Sequence, residues 1–350
     1  MMKSNNLTIS DVAKRVGVSK TTISRYLNGK YEYMSNELRV RIADVISELN
    51  YRPSNIARSL KSKKSQLIGV IYADISNPVS AIISKGINDS CKRYGYHVLT
   101  ANTDNDPEKE KEYILSMIDT RVEGLIVLPV GPNNEFMSEI SQKHVPIVLV
   151  DRPTFPTLFD TVKTNDFATT IDTIKHLAEQ GFECVGFFSP PIDSVGTRIM
   201  RQQAYRKACV DILKIQPQEY VVTDNGDNNA AETKVQEFMV ENQGRSLAIF
   251  TSSGVTMLSV IKAIYKLKLR VPDDIGICGF DDWPWAELVG PGITAIAQPS
   301  YNVGVEAVKR MMFRLHKNRK APPKLIELEN QLMIRGSTQR NKQFFCLRNQ

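Results

Sequence analysis

Residues 8–29, TISDVAKRVGVSKTTISRYLNG, decide the fold of the chain's amino-terminal part. Ser10 is a good helix N-cap, Asp11 supplies the acid that a first turn favours, and Val12, Ala13 and Val16 form one apolar face at helical spacing. Gly17 falls where the chain must bend. Ser19 then caps a second helix with Thr22, Ile23, Tyr26 and Leu27 on its inner side and Gly29 as its stop. Two short helices joined by a glycine-containing turn are the helix-turn-helix plan. In that plan Lys20 and Thr21, with Arg25 one turn later, point into a groove, where Lys and Arg donate to guanine O6 and N7. Thr8, Ser19, Ser24 and Asn28 are short polar groups of the kind that grip phosphates. An ordinary two-helix corner with a solvated basic face competes with this reading.

Moving outward, Ser35 caps a third amphipathic segment, NELRVRIADVISELN, with Leu38, Ile42, Val45, Ile46 and Leu49 at core spacing. A three-helix domain over 1–52 results. Residues 1–65 hold 13 Lys or Arg against 5 Asp or Glu, a net of +8, whereas residues 66–350 hold 32 against 33. The excess positive charge of the whole chain therefore sits on this head, as in a dedicated polyanion-binding module on a neutral body. Residues 53–65 are polar and basic. With only Ile56, Ala57 and Leu60 as a small apolar stripe, a helix here is marginal alone in water, and a plain linker is the alternative.

From Leu67 the pattern changes. Apolar runs (LIGVIYAD, YHVLTAN, GLIVLPV, PIVLVD) alternate with amphipathic ones, and Asp106-Pro107-Glu108 opens a helix with a cap, a proline at the first position and an early acid. The series then starts again at Asn165 with CVGFFSP, YVVTD, LAIFTS and DIGICGF. Strands apolar almost throughout and separated by helices form parallel sheets covered on both faces. Two doubly wound lobes with a cleft between them follow from the repetition. ITAIAQP, a helix over 302–316 and LIELENQ are too few elements for a third lobe, and 339–350 is read as a loose tail.

Several classes are excluded. At 350 residues the chain exceeds one ordinary core, and 42% apolar with 24% charged residues is a soluble composition. No apolar run of membrane-spanning length and no apolar export segment occur, and Cys91, Cys184, Cys209, Cys278 and Cys346 form no close pair. The expectation is a cytoplasmic protein with reduced thiols and no membrane partner. No Walker A run, dinucleotide fingerprint or nucleophile elbow is present, the four histidines are scattered, and Pro107 breaks any calcium-loop reading of 102–110. Neither catalytic nor metal-binding residues are expected, and no cofactor.

The run 8–29 together with ELNYRPSNIARSL (48–60) and LIGVIYADISNP (67–78) resembles the LacI/GalR family of bacterial transcription regulators, from Thr8 to about Thr338. The resemblance implies an α/β protein: a three-helix head, a hinge helix over 53–65, and a two-lobed doubly wound core of the periplasmic-binding-protein kind. Its lobes would be discontinuous, 66–164 with 298–322 and 165–297 with 323–338. Two hinge helices of a homodimer would enter the minor groove of a pseudopalindromic operator, with Ala57 and Leu60 wedged there and Arg58 and Lys61 on phosphates.

Effector positions carry over from the family onto residues after the strands: Asn77, Val79, Asp151, Arg152, Thr164, Thr197, Arg201, Ser253, Asp281 and Gln298. There Arg201 and Asp281 would hold the small ligand, an arginine suiting a carboxylate and an acid suiting hydroxyls. Two departures stand out. Ser253-Gly254 replaces a common Asn-Asp, and Asn225 falls near the family's aromatic lid position. FDDW (280–283) with GPGITAIAQPSYNVG (290–304) resembles, within the family, regulators of 2-keto-3-deoxygluconate and hexuronate catabolism. The expectation is a repressor governed by a sugar or sugar-acid effector, against the alternatives of a sugar-binding receptor or an enzyme on the same scaffold.

Overall fold

The structure, a computed structural model, describes residues 7–51, 64–131, 133–154, 156–192, 196–223 and 229–340. Ala57, Arg58, Leu60 and Lys61 of the expected hinge, Asn225, and the tail from 341 lie outside the described residues. The chain divides into two compact units, Met1–Gln66 and Leu67–Gln350.

The head contains α1 (Ile9–Val16), α2 (Lys20–Leu27) and α3 (Asn36–Glu48) around a core of Val12, Ala13, Val16, Ile23, Ile42 and Tyr51. The first helix starts earlier than the sequence indicates. Thr8, not Ser10, is the N-cap, because its N–H and hydroxyl both donate to the Asp11 carboxylate, at 2.8 and 2.7 Å. Ser10 therefore lies within the first turn. Gly17 ends α1 with φ 78°, the left-handed conformation that lets the chain turn at once into the next cap. Ser19 and Ser35 cap α2 and α3 as expected, each accepting a backbone N–H at 3.2 Å.

In the second unit β1 (Leu67–Tyr72), α4 (Pro78–Arg93), β2 (His97–Asn102), α5 (Pro107–Asp119), β3 (Gly124–Val127), α6 (Asn134–Lys143), β4 (Ile147–Val150) and β5 (Asp160–Thr164) begin one lobe. The chain crosses into α7 (Asp166–Glu179), β6 (Cys184–Ser189), α8 (Gly196–Ala208), β7 (Gln218–Val221), α9 (Ala230–Glu241), β8 (Leu247–Thr251), α10 (Gly254–Lys266), β9 (Gly276–Phe280) and β10 (Thr294–Ala297). It returns through α11 (Ser300–His316) and β11 (Leu325–Leu328), then crosses once more to β12 (Gln331–Met333). The first sheet has the order β11-β5-β4-β3-β1-β2, all parallel, and the second β12-β10-β9-β8-β6-β7, parallel except for the edge strand β12. No helix among the described residues is long and apolar enough to cross a membrane.

The late helix α11 belongs to the first lobe because two glycines let it approach α4 closely. A Cβ at Gly86 would run into the Tyr301 carbonyl, and one at Gly304 into that of Ile83. The last crossing differs from expectation. Residues 323–328 were assigned to the second lobe, yet β11 pairs in parallel with β5, from Leu325 opposite Thr161 to Leu328 opposite Thr164.

β5 itself is a strand that apolar patterning does not reveal. All five residues of DTVKT are buried, so their charges need partners. Asp160 receives Arg314 Nε at 2.5 Å, and Lys163 donates to Glu327 across the β5–β11 register and to the Thr164 carbonyl at 2.9 Å. Burial pushes the Asp160 carboxyl up, but Arg314 and Arg310 outweigh it and hold it below the usual carboxylate range. The helix expected to run through Lys214 ends its α-helical part at Ala208. A π-helical turn, Cys209–Leu213, follows, and Lys214 closes it with φ 58°.

Candidate functional site

On α2, positions 20, 21, 24, 25 and 28 fall along one side of the helix while Ile23 turns into the core. Lys20, Thr21, Arg25 and Asn28 are exposed, and Ser24 is half-buried. The guanidinium of Arg25 lies 5.5 Å from the ring centre of Tyr33, itself 78% exposed, so an aromatic face flanks the proposed base reader. The polar residues expected on phosphates already serve the fold. Ser19 caps α2, Thr8 caps α1, and Asn28 donates its amide to the Ser24 carbonyl at 2.7 Å. Arg15, outside the expected set, pairs with Glu48 and ties α1 to α3.

In the core, the lobe crossings converge on a buried polar knot. Arg201, only 7% exposed, donates through Nε to Asp166 at 2.7 Å, through Nη1 to the Ser252 carbonyl at 2.7 Å and through Nη2 to Gln298 Oε1 at 3.3 Å. Its plane stacks 3.6 Å over the Phe280 ring centre. Asp166 also accepts from the Thr164 hydroxyl at 2.5 Å and Asn330 Nδ2 at 3.0 Å. Gln298 Nε2 donates to Asp281 Oδ1 at 2.5 Å, and the Gly254 N–H to Asp281 Oδ2 at 2.7 Å. Thr164, Arg201, Asp281 and Gln298 thus share one network, joined by Asp166, Asn330 and Ser252, which sequence reading did not single out.

The Ser253-Gly254 departure now has a geometric reason. A side chain at 254 would sit 2.8 Å from Asp281 Cβ and 2.9 Å from the Trp283 ring. Ser253 caps α10 by accepting the Thr256 N–H, and Asn77 caps α4 by accepting the Val79 N–H at 3.0 Å. Thr197 is buried in the first turn of α8, outside the knot's hydrogen bonds. Burial pushes the Asp281 carboxyl up, against the pull of Arg201, and does the same at Asp151, which adopts φ 70° after β4. Burial also opposes the Arg201 charge, but Asp166, Asp281 and Asp151 together keep it above the usual guanidinium range.

A cleft of about 420 Å³ opens between the lobes, lined by Asn134, Arg152 and Thr154 from one and Gly196, Met200 and Gln203 from the other. Of the expected effector positions only Arg152 lines it. The knot and the open space are therefore distinct: Met200 faces the cleft while its neighbour Arg201 is consumed by the knot. Arg152 donates to the Pro129 carbonyl at 2.7 Å, and burial draws its pKa below the usual range.

A basic helix-turn-helix head joined to a two-lobed core defines a DNA-binding transcriptional regulator. Residues 8–54 match the family described as bacterial regulatory proteins, lacI family, and residues 174–338 match the periplasmic binding protein-like domain. The chain is 39% identical over 334 residues to the HTH-type transcriptional regulator KdgR of Bacillus subtilis, covering 94% of this chain and 97% of that one. It is 34% identical over 333 residues to the HTH-type transcriptional regulator PtxS of Pseudomonas putida, covering 95% and 96%. The lac repressor dimer bound to operator and the anti-inducer ONPF superposes with a TM-score of 0.84 at 23% identity, over 96% of this chain and all of that one. The chain belongs to the LacI family of bacterial regulators, and like these relatives it is a regulator and not an enzyme.

Proposed function

We propose that the chain is a cytoplasmic, homodimeric repressor whose grip on a pseudopalindromic operator is set by a sugar or sugar acid held between its lobes. Lys20, Thr21 and Arg25 read base edges; Thr8, Ser19, Ser24 and Asn28 position the head on phosphates; residues 57–61 act in the minor groove at the operator centre. One observation carries the reading. The knot draws hydrogen bonds from both sides of the first two crossings, Thr164 with Asp166 and Arg201 with Gln298. A ligand that competes for those bonds must shift the crossing segments, and so the angle between the lobes. Dimerisation doubles the few base contacts that one small head can make.

Selection of duplexes from random DNA by the full-length chain, with and without sugars and sugar acids, tests this. Arg25→Ala should lose about 1–3 kcal/mol for the selected site and relax one base position. Equal loss on specific and scrambled duplexes would remove Arg25 from base reading, and no duplex preference in the parent protein would end the account.

A further inference from the structure

We infer that the interlobe cleft takes a polyhydroxylated monoanion whose acidic group seats on Arg152, leaving its hydroxyls toward the Asp281 side. This rests on the effector reading above and deepens it by fixing the ligand's charge and direction.

The two arginines facing the interlobe space differ in what they have left to give. The Arg201 guanidinium is committed to Asp166, Ser252 and Gln298 and stacked on Phe280. Three carboxylates, Asp166, Asp281 and Asp151, act on that one cation. A carboxylate arriving there would meet net negative charge, whereas hydroxyls would find acceptors.

Arg152 is the converse. It is the one charged side chain among the described residues lining the cleft. Its hydrogen bond goes to a neutral carbonyl, and among the described residues no carboxylate lies within 4.0 Å of it. Asp151, Glu110 and Asp74 act on it only from further away, and the Glu110 oxygens are taken by the Val130 N–H at 2.8 Å and Asn133 Nδ2 at 2.9 Å. A half-buried guanidinium on an open wall is the donor fork that a carboxylate fits. The side-chain amides of Asn134 and Gln203 also line the cleft, and neither has a protein partner among the described residues. They add neutral donors beside the fork and no competing negative charge.

Calorimetry on the full-length chain with two matched pairs, D-galacturonate against D-galactose and D-glucuronate against D-glucose, reads the charge preference directly. At least one acid should bind about tenfold or more tightly than its neutral partner. Arg152→Gln should bring that ratio toward one, and Arg152→Lys should retain part of it. Asn134→Asp puts a carboxylate into the same wall without touching Arg152, and it should also collapse the ratio; its side chain makes no protein hydrogen bond, so folding is not at stake. A preference for the acid that survives both Arg152→Gln and Asn134→Asp overturns the inference and leaves the effector reading intact. So does a preference for the neutral sugar in the parent protein. Absence of heat from all four compounds, in protein that still selects DNA, overturns the effector reading and this inference with it.

Discussion

Arg201 and Arg152 serve the same interlobe space and are provisioned in opposite ways. Arg201 has a carboxylate, a carbonyl, an amide oxygen and an aromatic face as partners, whereas Arg152 has a single carbonyl. Both come from helix- or strand-end positions that sequence reading marks as ligand-binding, so residue type and place do not separate them. Saturation does. A cation whose donors are consumed by its own fold holds chain segments together, and one left with a neutral acceptor on a cleft wall is free to hold something else.

The largest effect expected from this contrast is on stability. Arg201→Ala leaves the buried Asp166 and Asp281 carboxylates without their shared counter-charge and should cost about 3–5 kcal/mol of core stability. Arg201→Lys should rescue little, because an ammonium cannot reach three acceptors and stack on Phe280 at once. Urea denaturation of the full-length chain measures both. A loss below about 1 kcal/mol for Arg201→Ala would erase the distinction drawn here.

The acid limb of stability separates a third carboxylate from those of the knot. Asp160 is held low by Arg314 and Arg310. Its folded pKa lies below the unfolded one, so its contribution is present above the ordinary carboxylate range and is lost as pH falls toward the lowered value. Asp281 and Asp151 run the other way. Their folded pKa values are raised, so their contribution is greatest below the unfolded pKa and is lost as pH rises through the folded one. Between about pH 3 and about pH 6, Asp160→Asn should flatten the loss of stability on acidification, and Asp281→Asn should steepen it. The same change of slope in both variants would contradict the assignment of opposite shifts.

Apolar periodicity made most of the fold legible. LIGVIY, GLIV, IVLV and GICGF lie in strands where their unbroken apolar character places them, because a strand covered on both faces needs no polar alternation. β5 escaped for the complementary reason. DTVKT reads as a loop until Arg310, Arg314 and Glu327, all more than a hundred residues later, supply its counter-charges. The assignment of β11 escaped with it, since its partner strand was unseen. At the site, strand-end positions located Arg201, Asp281 and Gln298, but Asp166 reads only as the first residue of a helix, and Asn330 as part of a turn. Their joining depends on crossings that local patterns do not encode. One signal was available for Asp166: Asn165-Asp166 stands where the first lobe hands over to the second, and an acid there faces any cation brought in from α8. In the head, Thr8 to Asp11 is the three-residue capping interval, and that spacing identifies the true start of α1 over Ser10.

The smallest predicted change is the one that most sharpens the contrast. Arg152→Gln removes a single hydrogen bond to the Pro129 carbonyl, on a wall that water reaches, so the acceptor can be solvated in place. It also removes a guanidinium whose charge burial already disfavours. The two terms oppose, and the net change in core stability should stay within about 1 kcal/mol, against about 3–5 kcal/mol for Arg201→Ala. Urea midpoints of the two variants measured side by side decide the matter. A penalty for Arg152→Gln as large as that for Arg201→Ala would make Arg152 a strut of the fold, and a residue already spent on its own structure has nothing left with which to seat a ligand's carboxylate.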